Sequence, residues 1–255
     1  LATAFSEPQS RFNLEDVVTT GTKQDDSYVI NGFKSVVMNG PAADKFIVSV
    51  RTSGSQSDNE GITLFLVDSD QKGVSKRDYS TVDGRKACEL TLEDVLVPSD
   101  AIIGKEGNGL GLLKESINKG ILAVSAEAVG AMEVLYKTTV EYTKTREQFG
   151  QAIGKFQVLQ HRMVDMFMEY EQAKSLLYMA TIKHSEGAKD ADKAIAGLKY
   201  HIGKAGKFVG QQSVQLHGGM GVTDELNVGH YFKRLTTIGT IFGNSDYHLT
   251  KYSKL

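Results

Sequence analysis

Arg146, in the run Arg146-Glu147-Gln148-Phe149-Gly150, and the glycines of Gln215-Leu216-His217-Gly218-Gly219-Met220-Gly221 are of residue types that can hold an anion. A guanidinium offers a planar fork of donors that matches a diphosphate, and glycine lets a ligand approach the backbone closely. By type and spacing alone, Arg146 reads first as a solvated cation at a helix end, and the glycines can be only a helix C-terminal stop. Gly107-Asn108-Gly109-Leu110-Gly111 resembles a dinucleotide loop, but it follows no βαβ unit and reads as a domain junction. The six histidines lack ligand spacing such as HExxH, so no metal site is expected. Ser6 has no nucleophile motif around it. Cys88, the single cysteine, lies in a strand-like stretch as a small buried hydrophobe. Met163, Met166 and Met168 read as bundle core and its edge.

Two kinds of element must position these side chains. Residues 1–106 read as short strands: Ser27 to Ile30 and Phe33 to Met38 flank Asn31-Gly32, a dipeptide suited to a two-residue hairpin turn. Phe46 to Val50, Ile62 to Val67 and Leu90 to Val97 continue the pattern, giving a β barrel or sandwich of six or seven strands. From about Gly109 the period changes to 3.6. Leu113, Ile117, Ile121, Val124, Ala128, Ala131 and Leu135 define one helix face, and Phe156, Leu159, Met163, Phe167, Tyr170, Ala173, Leu177 and Ala180 a second. A third helix spans about Lys189 to Leu216, mildly interrupted by Gly197, Gly203 and Gly206, with short helices near His230 and Asp246. The fold class is therefore α+β multidomain: a β domain over 1–106 and a four-helix-bundle type of domain over 107–255.

Composition excludes several classes. A net charge of -2 gives no electrostatic reason to expect nucleic acid or an anionic membrane as partner. No run of about 18 apolar residues is present for a spanning helix. One cysteine fits a reducing compartment, and a cytoplasmic location is expected. The start, Leu1-Ala2-Thr3-Ala4, has no initiator Met or leader pattern and reads as a chain entered in the middle.

Five stretches, in order, resemble the acyl-CoA dehydrogenase family. Phe5-Ser6-Glu7-Pro8 is similar to its aromatic-Thr-Glu-Pro opening of the middle domain, and Ile30-Asn31-Gly32-Phe33-Lys34 to its "NGxK" segment. Leu92-Glu93-Asp94-Val95-Leu96-Val97-Pro98 is similar to its exit strand. Arg146-Glu147-Gln148-Phe149-Gly150 with Phe156-Gln157 resembles "RxQFG...FQ", and Gln215 to Gly221 resembles "QxxGGxG". The resemblance covers the whole chain and omits the family's N-terminal helical domain. The ending from Thr223 to Arg234 most resembles a branch that includes small subunits of pimeloyl-CoA dehydrogenase-like enzymes.

The resemblance implies FAD as cofactor, an acyl-CoA thioester as substrate, α,β-desaturation within fatty acid β-oxidation or related lipid metabolism, and an electron-transfer flavoprotein as redox partner. It also implies where the chemistry should sit. The commonest family base is the Glu of "YEGT", where this chain has Phe242-Gly243-Asn244-Ser245. The alternative base position, in the first bundle helix, falls on Gly120 and the CoA-binding Arg after it on Ile121. Neither glycine can accept a proton. Asp246 and Glu127 are the nearest substitute carboxylates, each needing a shifted backbone, and a helix cap is the more ordinary role for Asp246.

On the β-domain side of the flavin, Arg11-Phe12-Asn13 replaces the family's Gly-Ser-Asp, and Val36-Val37-Met38 replaces Trp-Ile-Thr. Ser6 and the backbone of Met38 are the implied cofactor contacts that remain there, and Ser245 is one implied in the helical domain. Arg146, Phe149, Gln215, Gly218 and Gly219 match the residues that hold a neighbouring subunit's FAD. The expected function is thus a dehydrogenase subunit that completes a flavin site in a hetero-oligomer or homo-oligomer, with the partner supplying the catalytic Glu. The alternatives are a non-catalytic structural or binding subunit without productive flavin, and an enzyme with a relocated base.

Overall fold

Short runs of β-formers separated by turn residues fill the first hundred positions, and in the computed structural model, which describes residues 1–255, they become eight strands. They are β1 Ala2–Ala4, β2 Thr20–Gln24, β3 Ser27–Met38, β4 Lys45–Arg51, β5 Ile62–Asp68, β6 Val74–Ser80, β7 Lys86–Pro98 and β8 Ile102–Ile103. The sheet order is β6-β7-β3-β2-β4-β5-β8, with β1 parallel to β4. β4 and β5 are buried almost without alternation, as strands covered on both faces are. Tyr28, Ile30, Phe46, Val48, Phe65, Val67, Leu90 and Leu92 form the heart of this core. Edge strand β6 is mostly exposed and carries Lys76, Arg77 and Asp78, charges that discourage pairing with another edge.

The expected turn at Asn31-Gly32 is not there. β3 runs through both residues, and the two-residue turn lies at Asp25-Asp26, where Gln24 pairs with Ser27 and Asp25 takes φ 50°. Asn31-Gly32 lies opposite a β-bulge in β7: the two steps from Ile30 to Gly32 face three from Val95 to Leu92, and Asp94 there takes φ 49°. Asn31 bonds across the bulge in both directions: its Nδ2 donates to Asp94 Oδ1 (3.0 Å), and the Asp94 amide donates to its Oδ1 (2.8 Å). Gly32 is there for space rather than for a turn: a Cβ on it would overlap Thr19 Oγ1.

Two of the five motif runs meet in one buried ion pair. Lys34 Nζ lies 2.6 Å from Glu7 Oε1, both side chains fully buried, and also donates to Ser49 Oγ at 3.0 Å. Glu7 additionally accepts from Thr19 Oγ1 (2.7 Å) and from the amide of Val18 (2.8 Å). Burial works to raise the Glu7 pKa, but the Lys34 charge and these donors hold it below the ordinary carboxylate value. Burial pulls Lys34 down to about 8 against the opposing pull of Glu7.

The helices are α1 Gly109–Thr145, α2 Gln157–Ser185, α3 Ala191–His217, α4 Val228–Ile238 and α5 Ser245–Lys254. Between α1 and α2 a small hairpin pairs β9 Glu147–Gln148 with β10 Gln151–Ala152. Contacts divide the chain into two compact units, Leu1–Ser116 and Ile117–Leu255. In the second unit Ile121, Ala128, Met132 and Leu135 of α1 and Met166, Tyr170, Ala173 and Ala180 of α2 are buried. Phe167, expected on the buried face of α2, is exposed, and its neighbour Met166 takes the core position.

The glycines of α3 do not interrupt it. Gly206 faces Leu235 and Gly210 faces Phe232, where an added Cβ would come within 2.7 Å of the ring; Gly197 and Gly203 admit Tyr252 and Ser245 of α5. The missing side chains let α4 and α5 lie directly on α3. No helix is long and apolar enough to cross a membrane.

Candidate functional site

The end of α1, the β9–β10 hairpin, the start of α2 and the end of α3 converge around a cleft of about 750 Å³. Tyr142 and Arg146 come from the α1 end, Val158, Leu159 and Arg162 from α2, and Gln215, His217, Gly218 and Gly219 from the α3 end. Arg146 is placed by its amide, which bonds the Tyr142 carbonyl at 2.9 Å, and by its carbonyl, which accepts from Ile153 N at 2.8 Å. Gly218 stops α3 by turning to φ 59°, while its N–H returns to the Gln215 carbonyl. Helix stop and site glycine are therefore one residue.

The floor of the cleft is fixed by stacking. The Tyr142 and His217 rings stack with centroids 4.3 Å apart and planes inclined by 29°, Tyr142 Oη donates to the His217 carbonyl (3.4 Å), and His217 Nδ1 meets the Ser213 carbonyl at 2.8 Å. No Asp or Glu lines the cleft, and neither guanidinium is paired with a carboxylate. Arg162 Nη1 bonds only the neutral Gln212 Oε1, at 3.3 Å. Two positive charges facing an acid-free, partly apolar cleft are an arrangement that takes a polyanion with an apolar appendage.

Four of the sequence-expected cofactor residues, Arg146, Gln215, Gly218 and Gly219, share this cleft. Phe149 does not line it: it sits at the hairpin turn with φ 55° and 92% exposed, its ring edge-on to Phe156 at 6.1 Å. Arg162, Tyr142 and His217 were not expected as site residues. Arg162 follows Leu159 by one helical turn, and nothing in its sequence surroundings singled it out.

A second locus surrounds the two glycines. Phe242, at φ 58°, packs its ring on Gly120: a Cβ there would lie 2.8 Å from ring atoms Cε2 and Cζ. Gly243 is buried at φ 109°, and a Cβ on it would meet Tyr247 and His248 at 2.6 and 2.7 Å. The turn is pinned from beneath by Lys199 of α3, whose buried ammonium donates to the carbonyls of Ile238 (2.9 Å), Gly243 (2.8 Å) and, at 3.4 Å, Gly239. Burial lowers the Lys199 pKa to about 8. His248 Nε2 donates to the Phe242 carbonyl at 2.9 Å while its Nδ1 is buried without a partner; burial, chiefly, lowers its pKa to about 4.

The substitute carboxylates are placed otherwise. Both oxygens of Glu127 accept from Arg234, Nε to Oε1 at 2.6 Å and the second donor to Oε2 at 2.7 Å, which ties α1 to α4. Asp246 is exposed in the first turn of α5, and the cap expected of it is made by Asn244, whose Oδ1 accepts from Tyr247 N at 2.9 Å. Ser245 is not in the cleft; its hydroxyl donates to the Tyr200 carbonyl at 3.2 Å and docks α5 on α3. In the first unit, the Ser6 carbonyl accepts from Ser35 N at 2.8 Å, and Met38 pairs across to Ala87. Val36, between them in β3, has φ 52° at a second bulge, a strained conformation for a β-branched residue.

Comparison with known proteins agrees with this architecture. Residues 2–95 match the family model of the acyl-CoA dehydrogenase middle domain, and residues 107–254 that of the acyl-CoA dehydrogenase C-terminal domain. The short-chain specific acyl-CoA dehydrogenase of Megasphaera elsdenii is 34% identical over 237 residues, covering 91% of this chain and 61% of that protein. The structure of butyryl-CoA dehydrogenase from the same organism superposes with a TM-score of 0.91 at 29% identity, over 99% of this chain and 67% of that one. The FAD complex of PigA gives a TM-score of 0.93 at 29% identity, over 99% and 66%. The chain thus spans roughly three-fifths of the length of the curated relative it matches. It belongs to the acyl-CoA dehydrogenase family, of which it holds the middle β domain and the C-terminal helical domain.

Proposed function

We infer that this chain is a subunit of an FAD-dependent acyl-CoA dehydrogenase that lends its cationic cleft to a flavin held mainly by a partner chain, and that the partner supplies the catalytic carboxylate. The observation that carries this reading is the contrast between the two loci. The cleft keeps two unpaired guanidiniums, Gln215 and the Gly218-Gly219 turn, a donor set that fits the diphosphate and nucleoside half of FAD. Both positions where the family carries its base are glycines in space already filled by Phe242, Tyr247 and His248. When bound, FAD supplies the hydride acceptor for α,β-desaturation of an acyl-CoA thioester. This chain's part is to grip and orient the anionic end of the cofactor and to fix the neighbouring turn.

Glu127 is a poor relocated base, because Arg234 already engages both of its oxygens and stabilises the ionised form in place. The reading as a structural subunit without productive flavin draws support from the first unit, where Arg11-Phe12-Asn13 puts large side chains in place of the family's Gly-Ser-Asp and Val36 stands in place of its stacking Trp. An electron-transfer flavoprotein as redox partner and a cytoplasmic setting rest on family resemblance and composition. Flavin retention separates the readings. The purified chain and its mixed assembly with a Glu-bearing dehydrogenase chain are passed separately through gel filtration with FAD. Flavin carried by the assembly, and reduced in amount when Arg146→Gln is introduced here, supports the shared site. An assembly that never carries flavin supports the structural subunit.

A further inference from the structure

We propose that Arg162 is a second phosphate-binding cation of the cleft and sets its preference for a diphosphate over a monophosphate. The proposal rests on the cleft being a diphosphate site and names a residue for it beyond the Arg-Phe-Gly and Gln-Gly-Gly runs. Three observations carry it. Arg162 lines the cleft together with Val158 and Leu159, one turn before it on α2, so that face of the helix is cleft wall. Its hydrogen bond goes to a neutral amide, Gln212 Oε1, which orients the guanidinium without cancelling its charge. The lining contains no acidic residue, so Arg146 and Arg162 together leave two uncompensated positive charges.

Other buried or half-buried cations of this chain are used differently. Arg234 is neutralised by Glu127, Lys34 by Glu7, Arg51 is spent on four loop carbonyls, and Lys199 on the carbonyls around Gly243. Each closes structure. Arg162 alone of these pairs with a neutral side chain and faces a cleft. A half-buried guanidinium so placed costs desolvation that a bound anion would recover, and charge matching favours a ligand with at least two negative charges. The apolar part of the lining, Ile153, Leu159, Leu216 and Met220, suits the base of a nucleotide.

The test is calorimetric titration of the purified chain with ADP and with AMP at low and moderate salt, comparing the unaltered chain with Arg162→Gln, Arg162→Lys, Gln212→Ala and Arg146→Gln. Arg162→Gln is expected to weaken ADP roughly tenfold, as loss of one charge-assisted contact does, to leave AMP within about twofold, and to flatten the salt dependence. Arg162→Lys should fall between the two, and Gln212→Ala should cost less than Arg162→Gln. A purely structural role for Arg162 predicts equal losses for ADP and AMP, and that result, or no change in ADP affinity, overturns the proposal. If Arg146→Gln weakens ADP while Arg162→Gln does not, the cleft stands as a diphosphate site and Arg162 is excluded from it. If the unaltered chain binds neither nucleotide, the reading of the cleft falls and takes this proposal with it.

Discussion

The ring of Phe242 lies against the backbone of Gly120, with ring carbons 2.8 Å from where a Cβ would stand. One aromatic side chain thereby closes the helix position of α1, while its neighbour Gly243 is shut in at φ 109° by Tyr247 and His248. The two glycines are parts of one packed locus, so their coincidence has a structural meaning: neither can be replaced by a carboxylate without moving the turn. Gly120→Ala should destabilise the protein by about 1–3 kcal/mol through overpacking, and Phe242→Leu should relieve much of that cost in the double variant. Urea unfolding of the four-member cycle measures it; simple additivity would mean that the two residues do not touch in solution.

Lys34 and Glu7 form a pair that is fully buried. Removing one partner leaves a buried uncompensated charge. Lys34→Met is expected to cost about 3–5 kcal/mol, whereas Lys34→Met combined with Glu7→Leu should recover a large part of the loss. Equilibrium denaturation of the single and double variants checks this, and a single-variant cost below about 1 kcal/mol would count against a buried pair.

His248 is held neutral in the fold, with its pKa lowered to about 4 from an ordinary 6.5. A depressed folded pKa means that the unfolded chain binds the proton more readily between those values. The stabilisation is therefore complete above about pH 6.5 and is lost as pH falls toward 4, at a slope of up to about 1.4 kcal/mol per pH unit for this one group. His248→Gln keeps a donor for the Phe242 carbonyl and should flatten that acid limb. Unfolding free energies between pH 4 and 7 for both proteins decide it, and identical limbs would place the titration elsewhere.

Both oxygens of Glu127 accept from Arg234. In any assembly of this chain that turns over an acyl-CoA, Glu127→Gln should leave the rate within about twofold, since a true general base contributes on the order of a hundredfold or more. A loss of that size would restore the relocated-base reading. Asp246→Asn should behave in the same way, the cap of α5 being Asn244.

The helices were legible because their apolar periodicity is long and unbroken, and the strands Lys45–Arg51, Ile62–Asp68 and Lys86–Pro98 because each is a run of β-formers. Thr20–Gln24 and Val74–Ser80 escaped notice, being polar strands held by their neighbours' ladders rather than by burial. Asn31-Gly32 misled because a glycine that makes room for Thr19 within a strand looks, in sequence, like one that makes a turn. In the site, Arg146, Gln215, Gly218 and Gly219 could be placed from their motifs. Arg162 could not, since its meaning comes from Gln212 fifty positions away, and the closure of Gly120 by Phe242 depends on a contact across more than a hundred residues.

The most direct measurement of the shared-site account is steady-state desaturation of a panel of acyl-CoA thioesters with FAD, by this chain alone and by its assembly with a Glu-bearing dehydrogenase chain. The account predicts no turnover from the chain alone, turnover from the assembly, and loss of most of that rate when Arg146→Gln is introduced in this chain. Sustained turnover by the chain alone, or an assembly indifferent to Arg146→Gln, would contradict it.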